Sequence, residues 1–164
     1  VQGIAIDTAY SFCNFNGDLL QFVGSNPSGH PLTVIVNSLV NALYMRYCYI
    51  LLNPERECVS FKKNVALLTY GDDNVMGVSD DAPWFHHTAI VEELRKIGVE
   101  YTMADKESES VPYINIADVS FLKRKWRWDE DVGAYLGPLE EESIEKSLQL
   151  SVKSGTISPE AQMV

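Results

Sequence analysis

The run from Val65 to Val78, Val-Ala-Leu-Leu-Thr-Tyr-Gly-Asp-Asp-Asn-Val-Met-Gly-Val, constrains the fold more than any other stretch of this sequence. Two apolar arms of strand-forming composition flank Gly71-Asp72-Asp73, a pattern that predicts a tight antiparallel hairpin with two carboxylates at its tip. Neighbouring carboxylates repel each other, and a hard divalent cation relieves that repulsion best. Mg²⁺ is usually held through one or two carboxylates, with substrate phosphates filling other positions. A solvated turn in which the aspartates merely suit the backbone is the plainer alternative, and a lone Gly-Asp-Asp is compatible with both.

A chain of 164 residues with 46% hydrophobic content can build one domain with a real core. Its start, Val1-Gln2-Gly3-Ile4, has neither a basic region nor a cleavage-like end, so no signal peptide is expected. Beginning without Met and ending at Met163-Val164 without a closing element, it reads as a piece of something longer. Cys13, Cys48 and Cys58 are odd in number and form no Cys-x-x-Cys pair. That points away from a disulfide framework or zinc knuckle and towards a reducing, intracellular setting. His86 and His87 are adjacent, so on a helix they point about 100° apart; surface or edge positions are expected, with no metal between them.

The net charge of −10 argues against non-specific binding to a phosphate backbone through the whole surface. The charge is uneven, however. Asp129-Glu130-Asp131 and Glu140-Glu141-Glu142 concentrate the acid, whereas Lys123-Arg124-Lys125 with Arg127 form one compact basic run.

Along the chain, Leu19 to Val23 is the best strand candidate within residues 1–23, and the turn-rich loop Gly24-Ser25-Asn26-Pro27-Ser28-Gly29 follows. Pro31 opens a long helix to about Leu52, apolar nearly all round and therefore expected to be buried. Asn37, Ser38, Asn41 and Arg46 interrupt it too often for a membrane span. Asn53-Pro54 ends it. A second helix is expected from about Pro83 to Ile97 with Gly98 as its stop, then a possible strand over Val99–Met103. Asp118 to Trp128 reads as a strand pair or tight hairpin, and a third helix runs from about Glu140 to Val152.

Thr33, Asn37 and Asn41 recur every four residues along one face of the long helix. An unpartnered buried amide costs about 1–3 kcal/mol, so the stripe needs either a satisfied internal network or a wet, ligand-bearing cavity. Ser28-Gly29 stands just before the helix, where free N–H groups and backbone freedom suit the approach of a sugar-phosphate chain.

The order Ser28-Gly29, Thr33, Asn37-Ser38, then Tyr70-Gly71-Asp72-Asp73, resembles the RNA-dependent RNA polymerases of positive-strand RNA viruses, most closely the picornavirus-like group. Phe121-Leu122-Lys123-Arg124 resembles the family's primer-grip motif, and Thr102-Met103-Ala104-Asp105-Lys106 the segment carrying a lysine implicated in proton transfer. These four ordered elements cover about residues 20–150. The resemblance implies an α+β polymerase palm over residues 1–136, with the Asp72 hairpin central in an antiparallel sheet backed by the 31–52 and 83–97 helices. A helical thumb would begin at 137. It also implies two Mg²⁺ ions, with Mn²⁺ as a possible substitute, held by Asp72 and Asp73, and template-directed nucleotidyl transfer.

By the same resemblance Asn37, supported by Thr33, contacts the ribose 2′-hydroxyl, and Ser28 and Gly29 give the loop mobility around template and nucleotide. Lys106 is the implied general acid for pyrophosphate, with a plain surface lysine as the alternative. Lys123 and Arg124 position the primer, a solvated charged turn being the alternative. The implied partners are RNA template and primer, ribonucleoside triphosphates and the remainder of the viral polyprotein. The implied setting is the host cytoplasm, in membrane-associated replication complexes.

One departure is plain. The family's upstream Asp-(four residues)-Asp segment has only Asp7 as a candidate; position 12 is Phe12, and the distance to Ser28 is short. The basic fingers region is missing too, so this piece by itself is expected to be inactive. Two other readings stand beside the first: a reverse transcriptase-like palm, disfavoured by Asn37 and by the Gly before Asp72-Asp73, and a non-catalytic RNA-binding remnant.

Overall fold

The computed structural model describes residues 2–24, 26, 29–149 and 154–162. It divides into two compact units, residues 1–85 and 86–164, each taken by itself below.

In the first unit, α1 (Gln2–Ala9) leads into a hairpin of β1 (Phe12–Phe15) and β2 (Asp18–Gln21). Its turn is Asn16-Gly17, both at positive φ (54° and 102°), the backbone a two-residue type I′ turn requires. Sequence reasoning expected only one strand here, over 19–23. The Asn-Gly pair overrides the weak apolar pattern around it.

The long helix, α2, spans Thr33–Leu52. It ends at Asn53, whose Nδ2 donates to the Glu57 carbonyl and carboxylate while its Oδ1 accepts from Glu55 N–H. Glu57 in turn accepts from the N–H groups of Val59 and Ser60 and from the Ser60 hydroxyl, so a polar knot turns the chain at Pro54. A single helical turn, α3 (Phe61–Asn64), then runs into β3 (Val65–Tyr70), which pairs antiparallel with β4 (Asp73–Val78). The register, Val65↔Val78 through Tyr70↔Asp73, leaves Gly71-Asp72 as the two-residue turn, and α2 packs on this hairpin.

Tyr49 is the hub of the core. It meets Phe61 edge-on at 5.1 Å, Trp84 at 4.8 Å and Phe85 at 5.2 Å, and its hydroxyl pairs with Ser60 Oγ and Asn64 Nδ2, each at 2.8 Å. Burying such side chains stabilises by about 1.5–3 kcal/mol apiece, and the polar tip is satisfied rather than stranded.

Two expectations need correction. α2 is not buried all round: Asn41, Met45, Cys48 and Tyr49 face the core, while Ile35 (55% exposed), Leu39 (62%) and Leu43 (64%) face outward. One hairpin covers only one side of a helix. α2 is also the one described helix that is long and apolar enough to cross a membrane, by length and composition. The second correction concerns the sheet. β3 and β4 form a two-stranded sheet, and no other described strand lies on either edge of the hairpin expected to be central.

The second unit opens with α4 (His87–Lys96), capped by the His86 ring, which accepts from Ala89 N–H. Ile90 and Leu94 are its buried positions. Gly98, at φ +78°, closes it: Gly98 N–H reaches the Arg95 carbonyl and Val99 N–H the Leu94 carbonyl, a Schellman ending. The strand expected over 99–103 does not form, because no described strand pairs with it. A 3-10 turn (Ile116–Asp118) precedes two hairpins, β5 (Ser120–Phe121) with β6 (Arg124–Lys125), and β7 (Arg127–Asp129) with β8 (Ala134–Leu136). Helices α5 (Glu141–Gln149) and α6 (Pro159–Gln162) follow. The predicted third helix is therefore present as far as Gln149, and its remainder to Val152 lies outside the described residues.

Candidate functional site

The acidic tip is held from behind. Gly71 has φ +62° and Asp72 is not among the residues at positive φ, the φ pattern of a type II′ turn with Gly at its first central position. Two side chains of α2 fix that turn by its backbone. Ser38 Oγ accepts the Gly71 N–H at 2.8 Å while donating to the Val34 carbonyl. Asn41 Nδ2 donates to the carbonyls of Gly71 (3.3 Å), Asp72 (2.7 Å) and Asp73 (3.2 Å), and Asn41 Oδ1 accepts from Asn74 Nδ2 at 3.0 Å. Asn41 is 7% exposed, so its amide is a satisfied internal network, the plainer of the two readings of the polar stripe.

Because the backbone is held, the side chains are not. Asp72 and Asp73 are exposed, and no hydrogen bond or ion pair from a described residue engages either carboxylate. No described group of three or more His, Cys, Asp or Glu residues could hold a metal. Two free hard-oxygen donors fit an Mg²⁺ ion that keeps water and phosphate in its remaining positions, and do not fit a metal needing a full protein cage.

One helical turn back from Asn41, Asn37 Oδ1 accepts from Asn26 Nδ2 at 3.0 Å, and that same Nδ2 lies 3.5 Å from the Thr33 carbonyl. The amide stripe is thus split between two tasks: Asn41 grips the acidic turn and Asn37 fastens the preceding loop. Gly29 sits at φ +84°, and a Cβ added there would meet nothing within 4 Å, so its role is backbone freedom, not close approach. Ser28 lies outside the described residues. In the first unit, α2 thus carries Thr33 and Asn37 and, through Ser38 and Asn41, also holds the turn that bears Asp72 and Asp73.

Lys106, Lys123 and Arg124 belong to the second unit. Lys106 has φ +64°, unusual for a residue with a side chain, and its N–H bonds the Met103 carbonyl at 2.9 Å. The Asp105 carboxylate accepts from Glu107 and Ser108 N–H groups and from the Ser108 hydroxyl, which lowers its pKa, the hydroxyl contributing most. Leu122 and Lys123, at φ 54° and 59°, form the type I′ turn between β5 and β6 without the Asn or Gly such a turn prefers. Two side-chain-bearing residues in the left-handed region cost about 1–2 kcal/mol each. Arg124 Nη1 donates to the Gly137 carbonyl at 2.6 Å, so part of this guanidinium braces its own fold. The Lys123 charge helps to lower the Glu142 pKa, behind the larger effect of the Lys146 ammonium bonded to that carboxylate.

Sequence reasoning missed the turn-holding roles of Ser38 and Asn41 and the loop contact of Asn26. The four-residue spacing was visible; which amide faced protein and which faced outward was not.

The chain belongs to the viral RNA-dependent RNA polymerases: the profile of that family matches residues 8–162. Its relatives are viral polyproteins. It is 31% identical over 163 residues to the replicase polyprotein of Cricket paralysis virus, covering 96% of this chain and 9% of the relative. It is 34% identical over 146 residues to that of Drosophila C virus, covering 85% and 8%. The RNA1 polyprotein of Raspberry ringspot virus is 40% identical over 126 residues, covering 75% of this chain and 5% of the relative. The chain spans less than a tenth of the length of these relatives. The resemblance drawn from four ordered motifs is borne out by this match.

Proposed function

We propose that this chain is the C-terminal part of the palm (residues 1–136) and the start of the thumb (from 137) of a viral RNA-directed RNA polymerase. The parent enzyme joins ribonucleoside triphosphates to a primer on an RNA template by two-metal nucleotidyl transfer. It works with the rest of its polyprotein in membrane-associated replication complexes of the host cytoplasm. One observation carries the reading: an uncommitted carboxylate pair stands on a turn whose backbone is fixed by α2, one helical turn from Asn37.

On this reading Asp72 and Asp73 would hold Mg²⁺, or Mn²⁺ in its place, which would supply charge neutralisation at the reacting phosphates. The protein's own groups do the rest. Ser38 and Asn41 keep the carboxylates in place without competing for their oxygens. Asn37 spends its Oδ1 on Asn26, and no described residue accepts from its Nδ2, which suits donation to a ribose 2′-hydroxyl. Thr33 supports that contact, and Ser28 with Gly29 lets the loop adapt to template and nucleotide. Lys106 donates the proton that the departing pyrophosphate requires. Lys123, presented on a strained turn, and the remaining N–H groups of Arg124 bind primer phosphates.

The test is Asp72→Asn in the full polymerase. Nucleotide addition should vanish while the unfolding midpoint is kept; retained addition would refute the assignment. The isolated chain should extend no primer with either Mg²⁺ or Mn²⁺, and measurable extension would contradict its standing as a part of the site.

A further inference from the structure

We infer that His87 is a positioning residue that ties together both ends of the segment carrying Lys106. The tie is geometric; its catalytic consequence rests on the role proposed above for Lys106.

Three contacts from this one residue reach the segment on either side of Lys106. Ahead of it, the His87 ring stacks on Tyr101, with centroids 4.8 Å apart and planes 28° from parallel. Behind it, His87 Nδ1 meets Ser110 Oγ at 2.7 Å, and the His87 N–H donates to the Pro112 carbonyl at 3.2 Å. Ser110 Oγ lies 3.2 Å from Thr88 Oγ1 as well, so the first turn of α4 grips that end twice.

Within the segment, the Lys106–Met103 bond and the Asp105 carboxylate fix the shape of the turn and do not attach it to any other described part of the chain. Residues 104–109 are all exposed, and a cavity of about 460 Å³ lies against the segment, bordered by His87, Arg95, Tyr101, Met103, Lys106 and Ser110. Apolar packing therefore holds Lys106 weakly. Its placement passes to the polar and stacking contacts at the base of the loop, and of these His87 makes the Tyr101 stack, the Ser110 bond and the Pro112 bond. The buried Nε2 reaches no partner among the described residues, so the ring is oriented by Nδ1 and by Tyr101 alone.

The experiment uses the full polymerase with His87→Phe, which keeps a ring for Tyr101 but loses Nδ1, and with Ser110→Ala, which removes the other partner of that bond and its Thr88 contact. The double variant and the same three changes in a Lys106→Ala background complete the set. Each single change should lower the single-turnover rate constant about tenfold, the scale of a modest misplacement of a catalytic group. Nucleotide affinity should stay within about twofold. The double variant should lose no more than Ser110→Ala alone, since that change already removes the bond to Nδ1 together with the Thr88 contact. Backbone exchange over residues 102–109 should quicken. In the Lys106→Ala background the substitutions should cost nothing further.

An added loss in that background, or unchanged exchange over 102–109, overturns the inference. Should Lys106→Ala alone leave the rate intact, the role of Lys106 falls, and exchange then decides the tie separately: faster in His87→Phe upholds it, unchanged sinks it.

Discussion

Asn41 Nδ2 lies 2.7 Å from the backbone carbonyl of Asp72, and the same amide reaches the carbonyls on either side. One buried side chain thus serves every carbonyl of Gly71-Asp72-Asp73. Asn41→Ala removes the side-chain donor from those three carbonyls and one acceptor from Asn74, at a cost of about 1–3 kcal/mol in denaturant unfolding. Asn41→Asp, nearly identical in shape, should cost at least as much because it aims a carboxylate at three carbonyl oxygens. An unfolding curve unchanged by either variant would remove the grip from the account.

Gly71 provides a purely backbone test. A Cβ there meets nothing within 4 Å, yet φ is +62°. Gly71→Ala should therefore destabilise by about 1 kcal/mol through strain alone. A much larger loss would mean that the position is sterically closed.

The tip of the β5–β6 hairpin should behave in the opposite way. Replacing Leu122-Lys123 by Asn-Gly relieves two left-handed residues and should raise the unfolding free energy by about 1 kcal/mol. The same change removes the Lys123 charge, so primer affinity of the full polymerase should fall as stability rises. Gains in both would argue against a primer contact at Lys123.

Acid offers a further check at Asp105. Its folded pKa is lowered from the ordinary 3.8, chiefly by the Ser108 hydroxyl. The carboxylate therefore contributes to the Lys106 turn in full above that ordinary value, and the contribution is lost as pH falls through the lowered one. Ser108→Ala should move the Asp105 titration, followed by carbonyl NMR, upward towards 3.8. A titration that stays put would dismiss the hydroxyl as its cause.

What could be read from the sequence was what local rules determine. The Gly71-Asp72 hairpin, the span of α2 and the Gly98 stop each follow from residues within a few positions of one another. Two other features were equally local but escaped notice. Asn16-Gly17 is as strong a hairpin signal as any in the chain, yet its flanking strands, Phe12–Phe15 and Asp18–Gln21, are exposed throughout and carry no clear alternation. The hairpin within Asp118–Trp128 was expected, but Leu122-Lys123 breaks the turn preferences, so its left-handed pair was not. The division of labour in the amide stripe is a tertiary fact. Spacing puts Asn37 and Asn41 on one face, but only the packed hairpin decides which of them is consumed by backbone carbonyls.

Asn37 and Asn41 share a rigid shaft, and that limits how such an enzyme can be altered. Any change that slides or rotates α2 carries Asn37 and the acidic tip along together. If the roles proposed for Asn37 and for the two aspartates hold, substitutions in this helix intended to relax discrimination between ribose and deoxyribose should also disturb Asp72 and Asp73. On the roles proposed above, altered sugar preference without lost turnover would have to come from residues outside α2.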